Sequence, residues 1–489
     1  MPAVIDRRTF VRMTALSCLA VAACAHVAPR PVAGAPPDVI DETEAARPHT
    51  GRTVTATLTA QPTTIDLGGQ VIRTLAYGDS IPGPLIRADV GDDLAVTVTN
   101  RLDQPTSVHW HGIALRNDMD GAEPATANIA ATESFTYRFS SPHAGTYWAH
   151  PHAGLQADHG LYVPVIIDDP REAARYDVEW VVVADDWTDG VGSSPQAIYD
   201  RLRRGMPAMG SGRTSGAGTS ALLGGDAGDV VYPYYVVNGR ISEAPSTLRA
   251  RPGQRIRIRL INAGSDTAFR IALAGHSMTV THTDGYAVVP RDVDAVLLGM
   301  GERVDVIVTA GDGVFPLVAS AEGKNAVARA LLATGTGSAP DAGFRPRELE
   351  QRVGTVEMFT STPEEGLGIT AADVNLTAAL TGGMMHYSWG INGQPHPDNQ
   401  PLSITRGQTA VLTFANRTMM WHPMHLHGHT FQMLDAAGGL GARKDTAIVR
   451  PRQAVSVALV ADNPGTWMLH CHNTYHQEAG MMTSLDYTA

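Results

Sequence analysis

Near the end of the chain, His470, Cys471 and His472 form a tripeptide in which a thiol stands between two imidazoles. His476 and Met481 follow within ten residues. Side chains on an extended strand alternate faces with a period of two. His470 and His472 then point one way and Cys471 the other, so one tripeptide can serve two metal sites joined by its own backbone. Three further clusters repeat the theme: His109-Trp110-His111, His150-Pro151-His152, and His422-Pro423-Met424-His425-Leu426-His427-Gly428-His429. A single His-x-His pair is common in proteins that bind no metal. More than half of the 19 histidines gathered in four short clusters is not a chance pattern.

Ligand type narrows the metal. Neutral imidazole suits zinc, copper, iron and nickel, whereas a thiolate with two imidazoles and a weak methionine describes a blue-copper electron-transfer site. His422, Cys471, His476 and Met481 supply that set. A closed structural zinc site needs four firm ligands, usually with CxxC-type spacing, which this sequence lacks. Two of the three cysteines, Cys18 and Cys24, fall in the N-terminal apolar segment, which leaves Cys471 alone in a processed chain. A lone cysteine forms no disulfide within its own chain, and flanking histidines favour a metal ligand over a buried hydrophobe or a reactive thiol.

These clusters need rigid strands beneath them. Short Val/Thr/Ile runs separated by Gly and Pro turns point to an all-β protein, and 489 residues suit about three domains. The expected divisions are 51–170, 171–340 and 341–489. A repeat supports three β-sandwich units. Gly91 leads through an alternating strand to Asn100, Gly253 to Asn262, and Gly407 to Asn416. Histidine clusters follow the first and third copies; Phe269-Arg270-Ile271 follows the second. The middle unit is therefore expected to be structural. A Gly/Ser-rich stretch from about Met209 to Gly228 reads as a loop.

The N-terminus reads as an export signal over 1–26. Asp6-Arg7-Arg8-Thr9-Phe10-Val11 resembles a twin-arginine motif, and the apolar run Met13–Ala25 is too short to span a bilayer. Val21-Ala22-Ala23-Cys24 fits lipidation of Cys24, and Ala23-Cys24-Ala25 equally fits ordinary cleavage. Residues 27–50 read as a Pro/Ala-rich linker. The expected location is the periplasm or cell envelope, with no transmembrane helix in the processed chain. A formal net charge of -12 argues against a nucleic-acid partner.

Taken together, the four histidine motifs resemble those of the multicopper oxidase family, which includes laccases, ascorbate oxidase and bacterial cuprous oxidases. The likeness covers the chain after the signal. It implies three cupredoxin-like Greek-key β-sandwich domains and four copper ions: one type 1, one type 2 and two type 3. By motif, His422, Cys471 and His476 match the type 1 ligands with Met481 axial. His109 and His425 match type 2; His111, His150, His152, His427, His470 and His472 match type 3. The resemblance further implies that a reductant passes single electrons through the exposed edge of His422 or His476. They cross Cys471 to His470 and His472, and dioxygen becomes water between the first and last domains. Asp120 stands at the spacing of the family's proton-relay acid, so Asp120 and Cys471 are the expected catalytic residues. Gln477 occupies the place where some relatives carry a second acid, which puts a relay role for Glu478 in doubt. His429 is expected to pack rather than ligate. The implied reductant is Cu(I) or another metal ion, with Met419, Met420 and Met424 near His422, and Met206, Met209, Met384 and Met385 in expected loops, as soft ligands, or else a phenol or aromatic amine. A third reading, a catalytically silent cupredoxin scaffold, sits poorly with an intact ligand set.

Overall fold

The computed structural model describes residues 35–172, 175–205 and 218–488. The arginine pair, Cys18, Cys24, Met206 and Met209 lie outside them. Strands Thr53–Asp66, Val71–Tyr77, Asp93–Asn100 and Ser134–Ser140 form one four-stranded sheet. Ile86–Asp89, His109–His111, Gly145–His150 and Val163–Asp168 form a second. Apolar side chains alternate inward from both: Leu58, Val96 and Tyr137 meet Ile86, Trp110 and Val163 in a shared core. Two six-stranded sheets build the middle block, one of them completed by Val353–Gly354 from beyond the expected boundary at 340, and a six- and a five-stranded sheet build the last. A two-stranded ribbon, Thr219–Ser220 with Gly225–Asp226, occupies the described end of the expected Gly/Ser-rich loop. The architecture is three β-sandwiches, the first and last in direct contact.

The repeat has a structural basis. In each block the first long strand lies parallel to the strand that follows the glycine turn: Thr53–Asp66 on Asp93–Asn100, Val178–Trp187 on Arg255–Asn262, and Val374–Gly383 on Thr409–Asn416. Parallel neighbours need a crossover rather than a hairpin, which is what Greek-key winding provides. Gly91, Gly253 and Gly407 all have positive φ, at 83°, 81° and 87°, a region that a side chain rarely adopts. The asparagine nine residues on is a clamp. Asn262 Nδ2 donates to the carbonyls of Thr267 and Leu298, and its Oδ1 accepts from the Gly264 amide. Asn100 and Asn416 hold the loops before the His109 and His422 strands in the same way. Asn262→Ala would strand buried backbone groups, and we expect a loss of about 2–3 kcal/mol. The unfolding midpoint of the copper-free protein measures it; a change below about 0.5 kcal/mol, typical of neutral surface sites, would remove the clamp reading.

One expected linker is partly ordered. Within 27–50, Pro37–Ala45 is a helix opened by Pro at its first turn. Ile40 is buried, and Glu44 accepts the main-chain amide of Ser140 through Oε1. Arg47 Nη2 reaches Asn463 Oδ1 at 3.0 Å, so this segment ties the first block to the last. Composition alone concealed it because only one face of the helix is apolar. Among the described residues no helix is long and apolar enough to cross a membrane.

Candidate metal centres

Strand pairing brings the clusters together. His109 pairs with His150 across the first block, and His425 pairs with His470 across the last. Trp110, between the two histidines of its strand, turns inward against Tyr137 and Phe139, which sends His109 and His111 to the other face. Ligand atoms of His109, His111 and His425 lie within 4.8 Å of one another, as do those of His111, His150 and His472, and those of His152, His427 and His470. All eight histidines matched to the type 2 and type 3 positions therefore converge between the first and last blocks. His470 and His472 belong to different groups of three.

Proton positions follow from the partners. A carbonyl only accepts, so a ring nitrogen bonded to one carries the proton. His109 Nδ1 donates to Asp120 O at 3.0 Å, and His425 Nδ1 to Asp445 O at 2.9 Å. Their Nε2 atoms are left with lone pairs facing each other at 3.4 Å. His470 Nδ1 donates to Cys471 O, and His427 Nδ1 to Asp120 Oδ2 at 2.8 Å; their Nε2 atoms face each other at 3.1 Å. Burial, then neighbouring histidines, hold His427, His470, His150 and His472 well below the ordinary imidazole range, so these rings are neutral. Lone pairs aimed at each other across such gaps repel; a shared cation turns the repulsion into coordination. His111 Nδ1, His152 Nε2 and His472 Nδ1 are also buried without any hydrogen-bond partner. The donor set fits metal ions.

Cys471 serves the other side. Its Sγ lies 3.5 Å from His422 Nδ1 and 3.7 Å from His476 Nδ1, and those two nitrogens are 3.1 Å apart. His476 sits five residues after Cys471 because the strand Thr466–Cys471 passes directly into a one-turn helix, Thr474–Glu478. Asn473 caps that helix, its Oδ1 accepting from the amides of Tyr475 and His476. The far nitrogens are taken by the protein: His422 Nε2 donates to Thr418 Oγ1 at 2.8 Å, and His476 Nε2 to Asp229 Oδ2 at 2.9 Å. Burial lowers the His476 pKa, but the bond and charge of Asp229 overcome it and push the metal-free imidazole up to about 10. Met481 is fully buried, and its carbonyl accepts from the Cys471 amide at 3.0 Å. Donors of two imidazoles and one thiol meet here without a carboxylate among them, the composition of a soft, copper-type site.

Other expected residues fall as follows. Asp120 is 1% exposed; its Oδ2 accepts from His427, its Oδ1 lies 3.3 Å from His109 Nδ1, and so it touches one histidine of the first block and one of the last. Glu478 is exposed. His429 donates through Nδ1 to His427 O and meets Tyr487 Oη at 2.7 Å through Nε2, so both its nitrogens are engaged away from the metal groups.

Two expectations change. His422 and His476 are both fully buried rather than edge-exposed. Trp389 covers them, with ring centroids 4.3 Å from His476 and 5.3 Å from His422. The middle block is also more than a spacer. It supplies Asp229 to His476, and its Arg303 pairs with Asp445, whose Oδ1 lies 3.1 Å from His111 Nε2. Neither acid belongs to a histidine motif: Asp445 follows Arg443 and Lys444, and Asp229 lies in a Gly/Asp-rich loop, so nothing in the local sequence singled them out.

The chain is similar to known proteins along most of its length. Family models described as multicopper oxidase match residues 59–172, 179–338 and 369–489. Multicopper oxidase MmcO of Mycobacterium tuberculosis is 61% identical over 486 residues, covering 99% of this chain and 96% of that one. A copper resistance protein A homolog of Pseudomonas syringae pv. tomato is 28% identical, over 87% of this chain and 90% of its own. Among solved structures, the L499M mutant of the laccase from B. aclada superposes with a TM-score of 0.74 at 25% identity, covering 91% of this chain and 89% of that one. The sandwiches are thus cupredoxin-like, and copper is the family's metal: this chain belongs to the multicopper oxidases.

Proposed function

We propose that His422, Cys471 and His476, with Met481 axial, hold the type 1 copper of this oxidase. His109 and His425 hold type 2, and His111, His150, His152, His427, His470 and His472 hold the type 3 pair. The observation that carries the assignment is the facing of unprotonated ring nitrogens at 3.1 and 3.4 Å, His427 to His470 and His109 to His425. Copper bound at these groups supplies one-electron oxidation of a reductant and four-electron reduction of dioxygen to water. The chain's own part is threefold. Cys471 and the peptide to His470 and His472 make a bonded path about one residue long between the two sites. Asp120 holds the Nδ1 proton of His427 and orients His109, and it is the carboxylate placed to hand protons inward. Trp389, Thr418 and Asp229 exclude water from the type 1 ligands and fix their rings.

The domains are taken as 51–170, 171–340 and 341–489, preceded by a twin-arginine signal in 1–26, with the protein working in the periplasm or cell envelope. Cu(I) is the first-choice reductant. Met385 and Met419 are 76% and 66% exposed, and thioether is a soft ligand for Cu(I). Met420 and Met424, by contrast, are buried packing residues. A phenol or aromatic amine is the second reading, favoured by the likeness to laccases over nine-tenths of the chain. The copper-loaded protein is expected to be blue and to consume oxygen with either donor. A colourless loaded protein sinks the type 1 assignment. Oxygen uptake on Cu(I) and on a phenol, with and without added copper, separates the donors: phenol turnover indifferent to added copper selects the laccase reading.

A further inference from the structure

We infer that Arg303, from the middle block, is the positioning residue that sets the rings of His111 and His425 in the trinuclear site. The inference rests on the copper assignment proposed above. Arg303 opens the strand Arg303–Thr309 directly after the turn Gly299–Glu302 and has no exposed surface. It donates to all three blocks. Nε reaches Thr146 O at 3.0 Å in the first, and Nη2 reaches Asp284 O at 3.1 Å in its own. Nη1 and Nη2 form a fork on Asp445 of the third, at 2.8 and 2.6 Å. Planar, two-pronged pairing of this kind fixes the plane of a carboxylate as well as its position.

Asp445 passes that orientation on. Its Oδ1, 3.1 Å from His111 Nε2, takes the proton there, which leaves the buried, unpartnered Nδ1 as the only ring nitrogen of His111 able to ligate. Its main-chain oxygen takes His425 Nδ1 at 2.9 Å, which leaves His425 Nε2 to ligate. The two rings stack at 3.8 Å and 12°, although one comes from the first block and the other from the last. No local sequence aligns them; the Arg303–Asp445 pair touches both. The turn is packed closely enough for this to be specific. A Cβ on Gly301 would lie 2.9 Å from the rings of both His111 and His472, and one on Gly112 would overlap the Arg303 guanidinium. Lys444 closes the surroundings, bridging Asp284 at 2.9 Å and Glu302 at 3.0 Å, so that no acid of this buried group lacks a cation.

Arg303→Lys in the full-length, copper-loaded protein is the test, because it keeps the charge and removes the fork. The type 1 blue absorption should stay, since Cys471, His422 and His476 do not touch Arg303. Dialysis against a chelator should strip cluster copper at concentrations roughly 10–100-fold lower than in the wild type, the usual effect of losing an outer partner of a ligating histidine. The type 2 signal in electron paramagnetic resonance should change or vanish. A blue Lys variant with full copper and an unchanged type 2 signal overturns the inference. Should Arg303→Lys fail to accumulate, Arg303→Met combined with Asp445→Asn removes both charges together and is read in the same way. A wild-type protein without any type 2 signal would instead overturn the copper assignment itself.

Discussion

Cys471→Ser abolishes the blue colour and lowers oxygen uptake by more than about 100-fold, beyond the range seen when only an orienting partner is lost. The reason is geometric. Cys471 Sγ lies 3.5 and 3.7 Å from the Nδ1 atoms of His422 and His476, and its backbone continues directly into His470 and His472. A serine hydroxyl is a poor ligand for copper and lacks the thiolate that gives the colour. The fold should survive, since the substitution replaces one small buried side chain by another. The cluster histidines keep their partners, so cluster copper should still bind. Visible absorption, copper content and oxygen consumption on one preparation decide the matter. A serine variant that retains most of its turnover contradicts the path through Cys471.

Asp120→Asn is expected to lower turnover by roughly 10²–10⁴-fold, the usual contribution of a positioned acid or base. Asparagine has the same shape and can still accept from His427, but it cannot carry a proton between steps. The type 1 site is built from other residues, so the blue colour and its bleaching by a reductant should be native. Oxygen consumption should stall after that bleaching. Asp120→Glu should recover part of the loss. An asparagine variant turning over at more than half the native rate would leave Asp120 with a purely orienting role toward His109 and His427.

Much of this is legible in the sequence alone. Alternation along a strand separates His470 and His472 from Cys471, because the pleat period does not depend on tertiary context. The spacing of Gly91, Gly253 and Gly407 from Asn100, Asn262 and Asn416 marks three equivalent strands, because positive φ and a side-chain clamp are local demands on residue type. Donor chemistry is equally local: imidazoles, one thiol and a thioether are soft ligands wherever they meet.

The remainder depends on which distant residues the packing brings together. Arg303 lies 142 positions from Asp445, and His476 lies 247 from Asp229. No periodicity or propensity links residues so far apart, and an Arg or Asp among other charges looks the same whether it faces water or a metal site. For that reason the middle block read as structural although it reaches both sites. The exposure of His422 and His476 was likewise undetermined, because Trp389, which seals them, comes from another strand. The amino-acid sequence carries the three sandwiches, the candidate ligands and, through the family, copper as the metal. The docking of three sandwiches decided which charges orient those ligands and how deeply the type 1 site is buried.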